Sequence, residues 1–236
     1  NTVVDTVGVG VTGPWGIAVS PDGSFVYASD SFDEVLVLDS TTNMIVDTIN
    51  LGFNAFPNSQ IVFSPDGKFV YVAESSVGNT LSVIDTSTNT AVDTVGVGDS
   101  PFGIAVTPDG SFIYVSNAFS NDISVIDTST NSVVDTIMVS APGGISITPN
   151  GRFVYVTNGN SNTVSVINTT TNTVVDTIQV GNGPVSFGMF IGGPKASIGI
   201  PTLSQWGLIS MAVFMGLVGF RVIKKKSYTF KLKINT

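Results

Sequence analysis

A unit of 41 to 44 residues recurs four times along the chain, marked by SPDGSFVYASD (20–30), SPDGKFVYVAE (64–74), TPDGSFIYVSN (107–117) and TPNGRFVYVTN (148–158). The spacings between Tyr27, Tyr71, Tyr114 and Tyr155 are 44, 43 and 41 residues. A repeat of this length suits one four-stranded propeller blade better than a helical repeat. The repeat settles an architecture and leaves the activity open.

Within the fourth copy, GGISITPNG, FVYVTN, TVSVINTTTN and TVVDTIQVG are short β-branched runs separated by Gly, Pro and Asn clusters, which predicts strands A, B, C and D. Pro149-Asn150-Gly151 supplies a fixed φ followed by a residue tolerant of positive φ, as a tight A–B connection requires. The C–D connection is as stereotyped: Asp39 to Asn43, Asp85 to Asn89, Asp127 to Asn131 and Asn168 to Asn172 read as side-chain-capped turns. One Asp recurs in each strand D (Asp5, Asp47, Asp93, Asp135 and Asp176) with the alternation parity of its Ile and Val neighbours. It does not simply face water, and its repetition points to a structural hydrogen bond. NTVVDTVGVG (1–10) and GPVSFGMFIGG (183–193) are a surplus strand D and a surplus strand A of one split blade. The fold class expected is therefore all-β: a propeller of four complete four-stranded antiparallel blades plus a split partial blade, forming an imperfect ring or open arc. The chain starts inside the repeat pattern and reads as a mature fragment or a truncated piece.

Charge and composition exclude much chemistry. All 17 carboxylates lie between Asp5 and Asp176, opposed there only by Lys68 and Arg152, which leaves this region at −15. Such a surface repels nucleic acid, whose phosphates need clustered Lys and Arg. Cysteine and histidine are both absent. Disulfides, cysteine nucleophiles, histidine bases and histidine-held metals are excluded. No cofactor is expected, and a non-enzymatic role follows as the first reading.

In the up-and-down strand order, A–B and C–D turns share one face of the ring, and B–C and D–A loops share the other. The turns hardly differ between copies, whereas the loops vary freely and carry large aromatics. Binding is therefore expected on the loop face, through Trp15, Phe32, Phe53, Phe56, Phe102 and Phe119 beside Asp30, Asp33, Glu34, Asp99 and Asp122. Aromatics beside carboxylates stack on sugars, hold a cation or anchor a protein partner. Trp15 and Phe102 have the alternative role of plugging the ring interior beside strand A. Asp30, Asp33 and Glu34 supply oxygens for a weak candidate calcium site but lack calcium-loop spacing.

After Pro194 the strand pattern stops. The expected organisation is a propeller over 1–194, a linker over 195–199, and a sorting motif, membrane helix and basic tail over 200–236. Leu203 to Ile223 is a 21-residue apolar stretch broken by Ser204, Gln205, Ser210 and Arg221. As a helix it spans roughly 30 Å, about one hydrocarbon core. Arg221 sits where it can snorkel, and Lys224, Lys225 and Lys226 favour the cytoplasmic side, placing the propeller outside.

Tyr155-Val156-Thr157-Asn158 with the downstream VSVINTTTNTVVDTI resembles the YVTN family of β-propeller repeats, over roughly residues 1–193. The resemblance implies an exported or surface protein whose blades ring a central channel. Ile200, Pro201, Thr202, Leu203, Trp206 and Gly207 match the IPTLxxWG pattern, similar in layout to the C-terminal signals read by exosortases. That resemblance implies a transpeptidase-like membrane enzyme as partner, transient anchoring in the inner membrane, and cutting near the motif. SYTFKLKINT (227–236) departs from it, since the basic cluster normally ends such chains. The function expected is a bacterial surface module that binds a surface protein or glycan. The rivals are a structural subunit that self-associates through its surplus edge strands, and a lactonase-like propeller enzyme using carboxylate, Tyr or metal chemistry.

Overall fold

In the computed structural model the described residues are 6, 8, 15–29, 34–52, 60–75 and 78–185, all within the first of two units, Asn1–Gly193. The linker, the sorting motif, the 203–223 span and the basic tail lie outside them, as do most of the two surplus strands. Among the described residues no helix is long and apolar enough to cross a membrane.

Among the described residues, sixteen strands form four antiparallel sheets, each in simple sequential order. The first holds β1 (Ile17–Val19), β2 (Phe25–Ser29), β3 (Glu34–Asp39) and β4 (Met44–Asn50). The second holds β5 (Ile61–Phe63), β6 (Phe69–Glu74), β7 (Thr80–Asp85) and β8 (Thr90–Gly96). β9 (Pro101–Val106), β10 (Phe112–Asn117), β11 (Asp122–Asp127) and β12 (Ser132–Met138) make the third. β13 (Pro142–Ile147), β14 (Phe153–Asn158), β15 (Thr163–Asn168) and β16 (Thr173–Gln179) make the fourth. These are the blades of a β-propeller, with the repeated tyrosines in their second strands.

The turns follow from the residues expected to make them. Gly23, Gly67, Gly110 and Gly151 each close an A–B turn at φ between 69° and 77°, where a side chain is strained. Asn43, Asn89, Asn131 and Asn172 take φ of 47° to 56° at the end of each C–D turn, a conformation Asn tolerates better than most residues. Asp39 Oδ1 accepts the Thr41 and Thr42 amides, and Asp85, Asp127 and Asn168 cap their turns in the same way. The two turns of one blade are then tied together: the hydroxyls of Ser40, Thr86, Thr128 and Thr169 donate to the carbonyls of Gly23, Gly67, Gly110 and Gly151.

The core lies between blades. Tyr27, Val35, Val37 and Ile49 of the first pack against Ile61, Phe63, Val70, Val72 and Ile84 of the second. Tyr27 and Phe63 meet edge to face at 5.0 Å. Tyr71, Leu81, Val83 and Val95 repeat the arrangement against Ile104, Ile113, Val115 and Ile126, and Tyr114, Ile123, Val125 and Ile137 repeat it against Ile145, Ile147, Val154, Val156 and Ile167. Each buried branched side chain contributes about 1.5–3 kcal/mol, so these three seams hold most of the apolar stabilisation of the blades. Ile17 and Val19, counterparts of Ile61 and Phe63, are exposed.

Strand D departs from plain alternation. Val37 pairs with Asp47 while Leu38 pairs with Ile45, so Val46 is an extra, bulged residue. Val92, Val134 and Val175 are bulged identically. The parity argument for the recurrent Asp fails here, because the bulge resets which way the strand points its side chains. Asp47 is exposed, yet its Oδ2 accepts a 2.8 Å bond from Asn89 Nδ2 of the next blade, and Asp93 accepts one of 2.9 Å from Asn131. The repeated hydrogen bond exists, and it joins blades.

Candidate functional site

On the loop face, Trp15 and Phe119 are 58% and 81% exposed, and Phe102 is half-buried in β9 with its carbonyl accepting the Gln60 amide at 3.0 Å. Glu34 opens β3 and is half-buried. Phe32, Phe53, Phe56, Asp30 and Asp33 lie outside the described residues. Among the described residues no group of three or more His, Cys, Asp or Glu stands together as metal ligands.

Asp99 and Asp122 belong to two adjacent polar clusters that flank Gly98. Asn79 Nδ2 donates to Asp99 at 2.8 Å, the Asp99 amide donates to Ser120 Oγ, and Asn117 Nδ2 donates to Asp122 at 2.6 Å and to Ser124 at 2.9 Å. Gly98 packs closely there: a Cβ would stand 2.4–2.7 Å from Ser120 Oγ, Asp122 Oδ1 and Asn117 Nδ2, so these side chains would have to shift. Asn117 belongs to a column of polar residues that close strand B, with Glu74 and Asn158, all buried. Glu74 accepts the Ser82 hydroxyl, and Asn158 donates to Thr163 and Ser165. Glu74, Asn117 and Asn158 occupy equivalent positions in their copies, so the sequence carries the signal for this column in its repeat alignment.

The turn face holds the second feature. Between the second and third blades lies a cleft of about 410 Å³ lined by Ser64, Pro65, Asp66, Phe69, Tyr71, Pro108, Asp109, Gly110 and Thr128. Its origin is a seam that closes less fully than its neighbours. Tyr27 OH donates to Asn89 of the next blade, and Tyr114 OH donates to Asn172 at 2.8 Å. Tyr71, their counterpart, is 3% exposed and makes no such bond to Asn131. The proline of one A–B turn also rests on the glycine of the next. A Cβ on Gly67 or Gly151 would meet Pro21 or Pro108 at 3.3 and 3.2 Å, against 3.6 Å between Gly110 and Pro65.

The acids of these turns are held ionised. The Ser64 hydroxyl, then Lys68, pull Asp66 down to about 2, and the Ser20 hydroxyl with the Ser24 amide does the same for Asp22. Asp109 is lowered by the Thr107 hydroxyl and the Ser111 amide. Burial, with Asp66 adding to it, pushes the Tyr71 phenol up to about 12. The cleft therefore offers two carboxylates, one neutral phenol and apolar walls.

Fold and repeats define the class as a β-propeller, and comparison with known proteins narrows it. The family described as lactonase, 7-bladed beta-propeller, matches residues 40–132 and 78–182. The two overlapping matches span more than half of the chain, which belongs to that family. A second model, the IPTL-CTERM motif, matches residues 198–223 and marks an exported protein addressed to the cell surface. Among solved structures, the hydrazine synthase of Kuenenia stuttgartiensis is similar, at 28% identity and a TM-score of 0.66. The likeness covers 75% of this chain and 52% of that one, so the chain spans about half the length of its solved relative. No curated protein matches.

Proposed function

We propose that the chain is a YVTN-type propeller sorted to the bacterial surface, where it acts without catalysis as a binding or surface-matrix module. The observation that carries this reading is the way its acids are used. Asp22, Asp66 and Asp109 hold A–B turns, and Asp39, Asp85 and Asp127 hold C–D turns, all with depressed pKa values. Such carboxylates are poor proton donors or acceptors near neutrality, where general acid–base work needs a pKa close to the operating pH. The propeller frame presents loops, and the C-terminal motif supplies the address.

Partner binding is assigned to the loop face, to a surface protein or glycan. Replacing Trp15 and Phe119 by Ala should weaken retention of the chain on isolated cell-surface material more than altering Thr128 to Asn131. The opposite order would refute the face. Phe119 serves this test better than Phe102, whose truncation also disturbs a half-buried strand.

The family match favours a lactonase-like enzyme as the rival. Without histidine or cysteine, its chemistry falls to carboxylates, tyrosines or a metal they hold. Lactone hydrolysis assayed with and without added divalent cations decides: turnover above the uncatalysed rate would displace the binding reading.

A further inference from the structure

We infer that the cleft between the second and third blades is a recognition site for a single basic side chain, a lysine or arginine presented by a protein partner. The inference deepens the binding-module reading and lies on the opposite face from the loop aromatics. Three observations locate it. The blade seam is built three times from the same residues, yet the cavity of about 410 Å³ opens where Tyr71 lacks the cross-blade bond made by Tyr27 and Tyr114. The same seam has the widest of the three proline–glycine spacings, 3.6 Å. Tyr71 lines this space while 3% exposed, so its hydroxyl is a polar group directed into a cleft and left for a ligand.

The chemistry of the walls selects the ligand. Asp66 and Asp109 place two carboxylates at the rim within a region of net charge −15, which rejects phosphate and carboxylate ligands. Pro65, Pro108 and Phe69 offer an apolar path for an alkyl stem, and the rings of Phe69 and Tyr71 suit a cation at its end. The volume falls within the range of about 300–1,000 Å³ common to small-ligand sites. An ammonium group already rests at the rim: Lys68 Nζ stands 3.0 Å from Asp66 Oδ2, with both side chains largely exposed. An exposed pair of this kind contributes little stability, so an incoming cation displaces it readily.

The test uses the full chain in non-ionic detergent, titrated calorimetrically with Nα-acetyl-lysine methylamide and, in parallel, with its norleucine analogue. The lysine probe should bind and the norleucine probe should not. Asp109→Asn should weaken binding about tenfold, the loss expected for one charge-assisted hydrogen bond. Tyr71→Phe should weaken it severalfold while leaving the melting temperature unchanged, which separates recognition from folding. Lys68→Met should strengthen it by freeing Asp66. Asp22→Asn, at a turn outside the cleft, should leave binding of the lysine probe unchanged. Equal binding of the norleucine probe, absence of lysine binding, or an equal loss with Asp22→Asn would each overturn the site. Retention on cell-surface material that still depends on Trp15 and Phe119 would leave the module reading standing when the cleft fails.

Discussion

At the scale of single residues, the seams between blades depend on tyrosines whose surroundings differ in one hydrogen bond. Tyr114→Phe removes the donor to Asn172 Oδ1 and should lower stability by about 1 kcal/mol, the net value of a typical intramolecular hydrogen bond. Tyr71→Phe removes a hydroxyl without that bond, and urea midpoints of the two variants should differ accordingly. A loss at Tyr71 equal to that at Tyr114 would show its hydroxyl to be engaged. The same phenols set the alkaline limit. Burial, reinforced by Asp66 and Asp135, raises Tyr71 and Tyr114 to about 12. In the unfolded chain these phenols release their protons near 10, so the folded form binds more protons between those values. Their contribution is complete below about pH 10 and lost as pH rises through about 12. The acid limit has the opposite sign: Asp22 and Asp66 titrate at about 2 when folded, against about 3.9 unfolded. Their contribution is complete above about pH 4 and lost as pH falls through about 2. Urea midpoints across both ranges check these limits, and Asp22→Asn should flatten the acid arm.

At the scale of elements, blade packing is tightest along the inner strands. Gly103 in β9 lies where a Cβ would stand 2.9 Å from the Gly143 carbonyl, Ile145 Cγ2 and Ser116 Oγ. Ser116 Oγ also donates to Gly143 O at 2.6 Å, so backbone, core and hydrogen bond are all in the way. Gly103→Ala should cost about 1–3 kcal/mol as an overpacked site, readable as a lowered midpoint with an unchanged denaturant slope. Ser29, Ala73 and Thr157 stand at the position of Ser116 in the other blades, so the contact could not be read from the repeat alone. The blades and turns are legible because Pro-Asp-Gly and Asp-to-Asn turns are local chemistry, encoded within a few residues and repeated three times, with Asn in place of Asp in the fourth copy. Strand D was legible as a strand but not in its facing. Two adjacent apolar residues before each Asp (Ile45-Val46, Ala91-Val92, Val133-Val134 and Val174-Val175) conceal a bulge, and no local rule says which of them is extra. The loop face is legible as variable because its residues differ between copies. The cleft is not legible in the sequence for the converse reason: Tyr71 and Asn131 are the same residues as their counterparts, and only packing leaves them apart.

At the scale of the whole molecule, the sequence joins two opposed parts. Residues 5–176 carry every carboxylate, while Lys195 to Lys233 carry seven of the nine basic residues. If the apolar stretch spans a membrane, the basic cluster after it should stay on the cytoplasmic side and the acidic propeller should face outward. The IPTL-CTERM match over 198–223 covers the motif and the apolar stretch together. Residues 203–223 should span the membrane as a helix in the precursor, and cleavage near Ile200 to Leu203 should release the propeller from it. A helix of this length anchors a chain stably by itself, so processing and retention differ in mass rather than in location alone. Intact-mass measurement of the protein from its native cells should find a chain lacking Lys224–Thr236. Expression in cells without the sorting enzyme should leave the complete chain in the membrane fraction, extractable by detergent and not by carbonate. SYTFKLKINT provides the internal control, because deleting 227–236 should leave processing intact if the basic cluster alone is read. Full-length chain as the only species in native cells, or a soluble full-length chain in the heterologous host, would remove the basis for release by cleavage.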